Sequence, residues 1–283
     1  MYTRSIKIYD TLSRRNKIFI PLKGKFVSIF VCGPTVYDNA HIGHARVFVF
    51  FDVVARFLNE EGYKLKYMQN ITDIAKKIER KAKEQGKKPQ EISEYYKRLF
   101  IKDMLNLNIK SITKYALTSD YIPEIISQIK RLIKKGYTYE TSEGIFFDST
   151  KYNGFGSLID NKKHKVFTDN ERSDTRLNEK DFFLWRRINS NEILRTWLSP
   201  WGRGIPGWHI EDTAITEKYF GSSYDIHGGG IDLVYPHHEA ERAQMESISG
   251  KSPFVNYWMH VNLLKINGKK MSKSKNNCLY IKD

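Results

Sequence analysis

A thiol and two imidazoles follow a short apolar segment near the start of the chain. Residues 26–31 read FVSIFV, and Cys32 comes next. His41 and His44 flank Gly43 a little further along. A helix that begins here would offer phosphate its free N–H groups and positive dipole end, and the histidines could donate hydrogen bonds to phosphate oxygens. The spacing therefore indicates phosphate binding, although two surface histidines beside a turn fit it as well.

A second segment with phosphate-binding chemistry lies near the end of the sequence. KMSKS, from Lys270 to Ser274, carries two ammonium groups and two hydroxyls. Lys270 and Lys273 are close enough along the chain to face one polyphosphate as compact point charges. A solvated basic turn is the alternative interpretation of this segment taken alone.

The elements that must position the histidines form a strand–helix–strand unit. Residues 26–31 are predicted to be a strand, and apolar residues then recur at helical spacing from Gly43 to Asn59, closed by Gly62. Lys64–Met68 is predicted to be the next strand. Such a unit places its two strands in parallel, which favours a doubly wound sheet.

Two helical regions and an interrupted region follow. Residues 74–108 are predicted to be helical and strongly polar. Residues 122–133 carry an apolar stripe on one helix face, with Pro123 near the start and Gly136 near the end. From residue 137 to about residue 200 the pattern breaks into short strand-like pieces and polar loops. We expect an insertion between two halves of a nucleotide-binding fold.

The last part of the chain repeats the strand–turn–helix pattern. Residues 224–244 predict a strand, a glycine turn at residues 228–230 and a helix. Ligands of open α/β sheets bind at the carboxyl ends of strands, so these glycines would let an adenosine lie against the backbone. A hairpin-like turn is expected at Asn267-Gly268, just before KMSKS.

The predicted fold is α/β, a Rossmann-like doubly wound parallel sheet with an inserted α+β segment. Residues 1–140 would form its first half, 141–205 the inserted connective segment and 206–283 the second half.

The composition restricts the class of protein and its partners. The 283 residues carry a formal net charge of +15, which fits a nucleic-acid partner and a lysine-rich composition about equally. Two cysteines argue against a disulfide framework and for a reducing compartment, so we expect a cytoplasmic location. The sequence contains no apolar run of about 18 residues, so no membrane partner is expected.

The two phosphate-binding segments occur in an order that resembles class I aminoacyl-tRNA synthetases. Together with FVCGPTVYDNAHIGHAR, NITDI, DFFLW, SPWGRGIPGWHIED and GGGIDLVYPHHEAERAQ, they resemble the cysteinyl-tRNA synthetase family over essentially the whole chain. The resemblance implies that L-cysteine attacks the α-phosphate of ATP, bound with Mg²⁺, and that the cysteinyl-adenylate then charges the 3′ end of tRNA(Cys). The cysteine carboxylate is already ionised at neutral pH, so no general base is required.

The resemblance also implies one zinc ion that binds the thiol of the substrate. The family holds zinc with two cysteines, a histidine and a glutamate, of which Cys32, His237 and Glu241 match three. Where the family reads GWHIEC, this chain reads GWHIED, with Asp212 in place of the second cysteine. Aspartate is an accepted zinc ligand, so Asp212 is the favoured fourth ligand. The alternatives are that His209 or His238 completes the set, or that the metal is lost.

The remaining site residues carried over from the family bind the two small substrates. Thr72 and Trp208 match residues that line the amino-acid pocket, and Asp232 matches the position that holds the substrate ammonium. The expected ATP-binding residues are His41, Gly43, His44, Gly228, Gly229, Gly230 and Lys273. The expected catalytic residues are His41, His44, Lys270 and Lys273.

Several features depart from the family pattern or leave the function open. The usual ITDIDDK reads ITDIAKK, so Ala75 and Lys76 replace two acidic residues. The usual HHENE reads HHEAE, with Ala240 between the two glutamates. We expect the anticodon-binding module to be absent and the protein to be a monomer. Two other functions fit the same motifs: a cysteine:glucosaminyl-inositol ligase of mycothiol type, and an inactive paralogue that binds RNA.

Overall fold

The computed structural model describes residues 5–159, 173–188, 195–271 and 277–283, with Lys269 and Lys270 described in backbone only. The strands are β1 (Lys7–Asp10), β2 (Arg15–Ile18), β3 (Phe26–Val31), β4 (Lys64–Ile71), β5 (Lys114–Leu117), β6 (Thr138–Thr141), β7 (Gly144–Phe147), β8 (Phe182–Arg187), β9 (Gly204–Pro206), β10 (Tyr224–Gly230), β11 (Val255–Val261), β12 (Lys265–Ile266) and β13 (Lys269–Lys270). The helices are α1 (Ile42–Glu60), α2 (Lys76–Glu84), α3 (Pro89–Asn106), α4 (Ile122–Lys134), α5 (Ile210–Phe220) and α6 (Glu239–Ser249). Short helical turns lie at Thr118–Tyr121, Ser149–Lys151, Ile231–Leu233 and Val234–His238.

A five-stranded parallel sheet in the order β11-β10-β3-β4-β5 forms the centre of the fold. After β3 the chain adds β4 and β5 on one side, and after β10 it adds β11 on the other side. The direction of winding therefore reverses between β3 and β10. In open α/β sheets the carboxyl ends of two such strands are where ligands bind. The predicted doubly wound parallel sheet is confirmed.

Helices cover both faces of this sheet, because successive side chains of a strand point to opposite faces. Ile29 and Val31 of β3 belong to a buried cluster that includes side chains of α1, α2 and α3. Phe30, which lies between them, belongs to a second cluster with side chains of α4, α5 and α6. Burial of apolar surface on both faces thus fixes the sheet between two layers of helices.

The helix predicted for residues 43–59 is α1, which packs directly on the switch point. Its buried face includes Phe48, Phe51 and Leu58. A Cβ atom at Gly228 of β10 would lie only 2.2 Å from Cζ of Phe51. Glycine at this position therefore lets α1 approach the sheet closely, and α1 in turn presents its N-terminus at the end of β10.

Two predicted elements have different bounds in the structure. The region 74–108 consists of two helices, α2 and α3, separated at Gly86, whose φ of +62° is a conformation that favours glycine. β4 continues to Ile71 instead of ending at Met68, because its last residues pair with β5. The longer strand carries the polar residues Gln69 and Asn70 into the interior.

The predicted insertion contains a four-stranded antiparallel sheet in the order β6-β7-β8-β9. Its described strands begin at Thr138 and end at Pro206, close to the expected limits of 141 and 205. The division of the chain into three parts stays a prediction. The predicted helix at residues 122–133 is α4, and the turn at Asn267-Gly268 joins β12 to β13.

Within the described ranges, no helix combines the length and the apolar character needed to cross a bilayer.

One buried carboxylate ties α1 to the segment that leads into β5. Asp52 Oδ1 accepts hydrogen bonds from the backbone N–H groups of Lys110 at 3.0 Å and Ser111 at 2.9 Å. Its Oδ2 accepts from Arg56 Nε at 2.6 Å. Burial alone would raise the pKa of Asp52, but the hydrogen bonds from Ser111, Arg56 and Lys110 outweigh it and lower the pKa.

We predict that Asp52→Ala lowers the free energy of unfolding by about 2–3 kcal/mol at neutral pH, because three donors lose a charged acceptor. A carboxyl group whose pKa is lowered by folding stabilises above its unfolded pKa, and this contribution is lost as the pH falls through the folded value. The difference between the parent and the variant should therefore shrink below about pH 4. Urea denaturation followed by circular dichroism at several pH values measures it. An Asp52→Ala variant as stable as the parent at pH 7 would contradict this account of α1.

Candidate active site

A cavity of about 490 Å³ opens at the carboxyl ends of β3 and β10. The loop after β3, the first turn of α1, the end of β10 and the segment after β11 surround it. The cavity is lined by six residues that the sequence analysis assigned to the site, namely Cys32, His41, Gly43, His44, Gly230 and Asp232. The structure therefore brings the predicted thiol and the predicted phosphate-binding histidines to one cavity.

His41 is the N-cap of α1, His44 lies in its first turn, and the two side chains hold each other in place. Nδ1 of His41 accepts the backbone N–H of His44 at 3.2 Å, and Nδ1 of His44 accepts the backbone N–H of His41 at 3.3 Å. The rings stack with centroids 3.8 Å apart. Because each Nδ1 accepts a hydrogen bond, each neutral ring carries its hydrogen on Nε2. The helix cap therefore fixes both imidazoles as Nε2–H donors.

The glycines of the site have packing reasons that the sequence did not reveal. A Cβ atom at Gly43 would lie 2.9 Å from the His41 ring and 3.1 Å from Cε of Met271. At Gly229 it would lie 2.9 Å from the His238 ring. Gly230 lines the cavity, whereas Gly228 faces Phe51. ATP binding by these glycines stays a prediction.

The KMSKS segment reaches the same cavity through Met271, which is buried and lines it. Lys270 ends β13, whose backbone pairs with β12. Lys273 lies outside the described residues. The phosphate-binding roles of both lysines stay predictions.

A cluster of buried sulfur, nitrogen and oxygen atoms lies beneath this cavity. Sγ of Cys32 is 3.2 Å from Oδ2 of Asp212, 3.2 Å from Nε2 of His238 and 3.3 Å from Nε2 of His227. Nε2 of His237 is 3.2 Å from Oδ2 of Asp212 and 3.4 Å from Oε1 of Glu241. The residue after β3, the first turn of α5, the turn before α6 and the first turn of α6 thus bring Cys32, Asp212, His237 and Glu241 together.

The donor set fits a zinc ion. Cys32, His237, His238 and Glu241 each offer a ligand atom within 4.8 Å of the others, and thiolate, imidazole and carboxylate are the ligands that zinc takes. Among the described residues, Oδ1 of Asp212 and both carboxylate oxygens of Glu241 are buried without a hydrogen bond. Buried oxygens of this kind are costly unless a cation or a donor meets them.

The surroundings favour the neutral form of these groups when no cation is present. Burial raises the pKa of Cys32 well above its usual value, and the carboxyl groups of Glu241 and Asp212 raise it further. Burial, followed by the charge of Asp212, also raises the pKa of Glu241. Burial lowers the pKa of His238. A bound divalent cation would reverse the preference of the thiol and the carboxyl, because it stabilises their ionised forms.

The three alternatives for the fourth ligand differ in geometry. Asp212 and His238 both contact Cys32 directly. The group of four ligand atoms that lie within 4.8 Å of one another includes His238 and not Asp212. His209 instead lies behind His237, with their Nδ1 atoms 2.8 Å apart. That contact would orient the ring of His237 and leave its Nε2 facing the cluster.

Sequence reasoning named His238 but missed two further histidines near Cys32, His227 and His260. His227 of β10 has its Nε2 3.2 Å from Oε2 of Glu241, and its Nδ1 contacts the Tyr224 hydroxyl. Nδ1 of His238 is 2.8 Å from Nε2 of His260, and Nδ1 of His260 is 2.7 Å from the hydroxyl oxygen of Thr11. No sequence signal located His227, because its place follows from the register of β10 on β3, where it pairs with Phe30, two residues before Cys32.

The predicted amino-acid pocket residues lie around this cluster. The ring of Trp208 stacks on His237 with centroids 4.4 Å apart. The Thr72 hydroxyl donates to the buried carboxyl of Glu211 at 3.3 Å, and Thr118 donates to the same oxygen at 3.0 Å. Asp232 lines the cavity beside Gly230. Their substrate contacts stay predictions.

Comparison with known proteins supports the resemblance to the cysteinyl-tRNA synthetase family. A family model described as "tRNA synthetases class I (C) catalytic domain" matches residues 18–283. A cysteine--tRNA ligase of Thermoplasma volcanium is 49% identical over 278 residues, which are 98% of this chain and 61% of that protein. A cysteine--tRNA ligase of Thermoplasma acidophilum is 47% identical, over 98% of this chain and 62% of that protein. The chain thus spans about six tenths of the length of these curated relatives.

Solved structures share the fold at low sequence identity. A methionyl-tRNA synthetase of Mycobacterium tuberculosis in complex with methionyl-adenylate has a TM-score of 0.65 and 15% identity, covering 90% of this chain and 60% of that one. A proposed arginyl-tRNA synthetase of Campylobacter jejuni has a TM-score of 0.58 and 17% identity, covering 92% of this chain and 60% of that one. The predicted Rossmann-like catalytic fold is confirmed, and the chain belongs to the catalytic-domain family of the class I tRNA synthetases for cysteine.

Proposed function

We propose that this chain activates L-cysteine with ATP to form cysteinyl-adenylate and transfers the cysteine to the 3′ end of tRNA(Cys). One observation carries the proposal: the buried donor cluster at Cys32 opens on the same cavity as His41 and His44. A site for a thiol and a site for phosphate thus adjoin. The names of the related ligases support the same substrates.

The proposed chemistry needs positioning and charge stabilisation. A carboxylate oxygen of cysteine attacks the α-phosphorus of ATP, a bond to phosphorus forms, and pyrophosphate leaves with Mg²⁺. The Nε2–H groups of His41 and His44 donate to the phosphate oxygens on which charge develops. Lys270 and Lys273 would neutralise the departing pyrophosphate. Asp232 would hold the ammonium group of the amino acid at the other side of the cavity.

We propose that Cys32, Asp212, His237 and Glu241 hold one zinc ion. Zinc binds and deprotonates thiols far more readily than hydroxyls, so it would supply the discrimination between cysteine and serine. Asp212 is favoured as the fourth ligand because its Oδ2 lies 3.2 Å from both Cys32 Sγ and His237 Nε2. His238 is the alternative. Trp208 would cover the amino-acid side of His237.

The proposed macromolecular partner, oligomeric state and cellular location follow from the proposed charging of tRNA. Transfer RNA is the expected polyanionic partner of a chain with a net charge of +15. Arg186 of β8, in the antiparallel sheet β6-β7-β8-β9, contributes to this positive charge. We further propose a monomer in the cytoplasm, which gel filtration and cell fractionation test.

We predict cysteine-dependent exchange of pyrophosphate into ATP by this chain, with serine giving at least about 10² less exchange. His41→Asn should lower the exchange rate by about 10², because it removes the Nε2–H donor. Asparagine keeps an acceptor for the helix cap, so α1 should remain folded. Absence of exchange with cysteine would contradict the proposed activation step. Discharge of the adenylate by an amino-sugar conjugate, and not by tRNA, would contradict the transfer step.

We predict about one zinc ion per chain by elemental analysis after dialysis. Asp212→Ala should weaken zinc retention against a chelator by at least about tenfold, because a buried charged ligand is lost. Asp212→Cys should retain zinc, since it supplies a thiolate at the same place. His238→Ala is the matched variant: a larger loss of zinc in this variant than in Asp212→Ala would assign the fourth ligand to His238.

A further inference from the structure

Lys77, the second residue of α2, lines the cavity that holds His41 and His44 and has no predicted role there. Among the described lining residues it is the one lysine or arginine. The charged lining residue of opposite sign is Asp232, which lies beside Gly230. The cavity therefore carries a cation near α2 and an anion near the end of β10.

The ammonium group of Lys77 lies over the ring of Tyr37. Its Nζ lies 5.6 Å from the ring centroid of Tyr37, which also lines the cavity. Burial, with the charge of Asp38, raises the pKa of the Tyr37 hydroxyl, so the phenol stays neutral. A neutral ring attracts the ammonium group without cancelling its charge. In the described part of the chain, no carboxylate lies within 4.0 Å of this Nζ.

The position of this cation suits a phosphate chain more than the other substrate groups. Tyr37 belongs to the loop that leads to His41, the N-cap of α1. The positive end of α1, the Nε2–H groups of the two histidines and the Lys77 ammonium thus surround one region of the cavity. Asp232 would repel phosphate and suits the ammonium group of an amino acid. His41 and His44 are neutral donors, so the Lys77 ammonium would add a positive charge on this side of the cavity.

We propose that Nζ of Lys77 contacts the phosphate chain of ATP, which makes Lys77 a further ATP-binding residue beside His41 and His44. The inference rests on the proposed use of ATP by this site. The long stem of lysine lets a partly solvated ammonium group reach into the cavity as a point charge. The neighbouring Lys76 is also exposed but does not line the cavity.

The test compares Lys77→Met with Lys76→Met, which make the same charge change on neighbouring residues. Isothermal titration calorimetry of each protein with ATP and Mg²⁺, without amino acid, measures the affinity for ATP directly. We expect Lys77→Met to weaken ATP binding by about tenfold and Lys76→Met by less than about twofold. Lys77→Arg, which retains the charge, should stay within about threefold of the parent. The KM for cysteine in the exchange assay should change by less than about twofold in all variants.

Three results would overturn the inference. Equal weakening in both methionine variants would indicate a general field effect of net charge, and unchanged ATP affinity in Lys77→Met would exclude the contact. A raised KM for cysteine with unchanged ATP affinity would assign Lys77 to the amino acid. Because the titration contains no cysteine, it gives a result even if the proposed activation of cysteine is wrong. Lys77 is exposed, and unfolding midpoints within a few degrees of the parent verify that the variants fold.

Discussion

The candidate site depends on one electrostatic constraint, which is the burial of a thiol, two carboxyl groups and several imidazoles at a single point. Cys32, Asp212, His237 and Glu241 are each at most 5% exposed. Ionised carboxylates in such a place are strongly destabilising unless a cation or hydrogen-bond donors compensate them. The histidines of the cluster compensate only in part, since three of the four carboxylate oxygens have no hydrogen bond among the described residues. A divalent cation at the centre would satisfy this constraint.

The scaffold that creates this point is simple. β3 and β10 are neighbours that lead to opposite halves of the sheet, so their carboxyl ends leave a gap. The backbone N–H of Cys32 donates to the carbonyl oxygen of Gly228 at 3.0 Å, which fixes the thiol at the end of the ladder. The absence of a side chain at Gly228 lets α1 lie against the sheet. The thiol cluster and the histidines that cap α1 therefore border the same cavity.

The sequence predicted the parts of this arrangement that depend on local pattern. Apolar spacing predicted α1 and α4, and the strand–helix–strand unit predicted parallel pairing. The family motifs placed Cys32, His237 and Glu241 together, and the structure places them in one cluster. His227 and His260 were missed because each lies on a strand whose role appears only when the register between strands is known. The break between α2 and α3 was missed because the polar, helix-favouring sequence continues across it, and only Gly86 and Pro89 mark it.

The most direct test of the metal-based account is zinc X-ray absorption spectroscopy of the purified protein, with and without L-cysteine. The account predicts one sulfur neighbour at about 2.3 Å, with nitrogen and oxygen neighbours at about 2.0–2.2 Å, in the protein alone. A second sulfur neighbour should appear when cysteine is added and should not appear with serine. A zinc-free protein that still activates cysteine, or a zinc spectrum that cysteine leaves unchanged, would contradict the account.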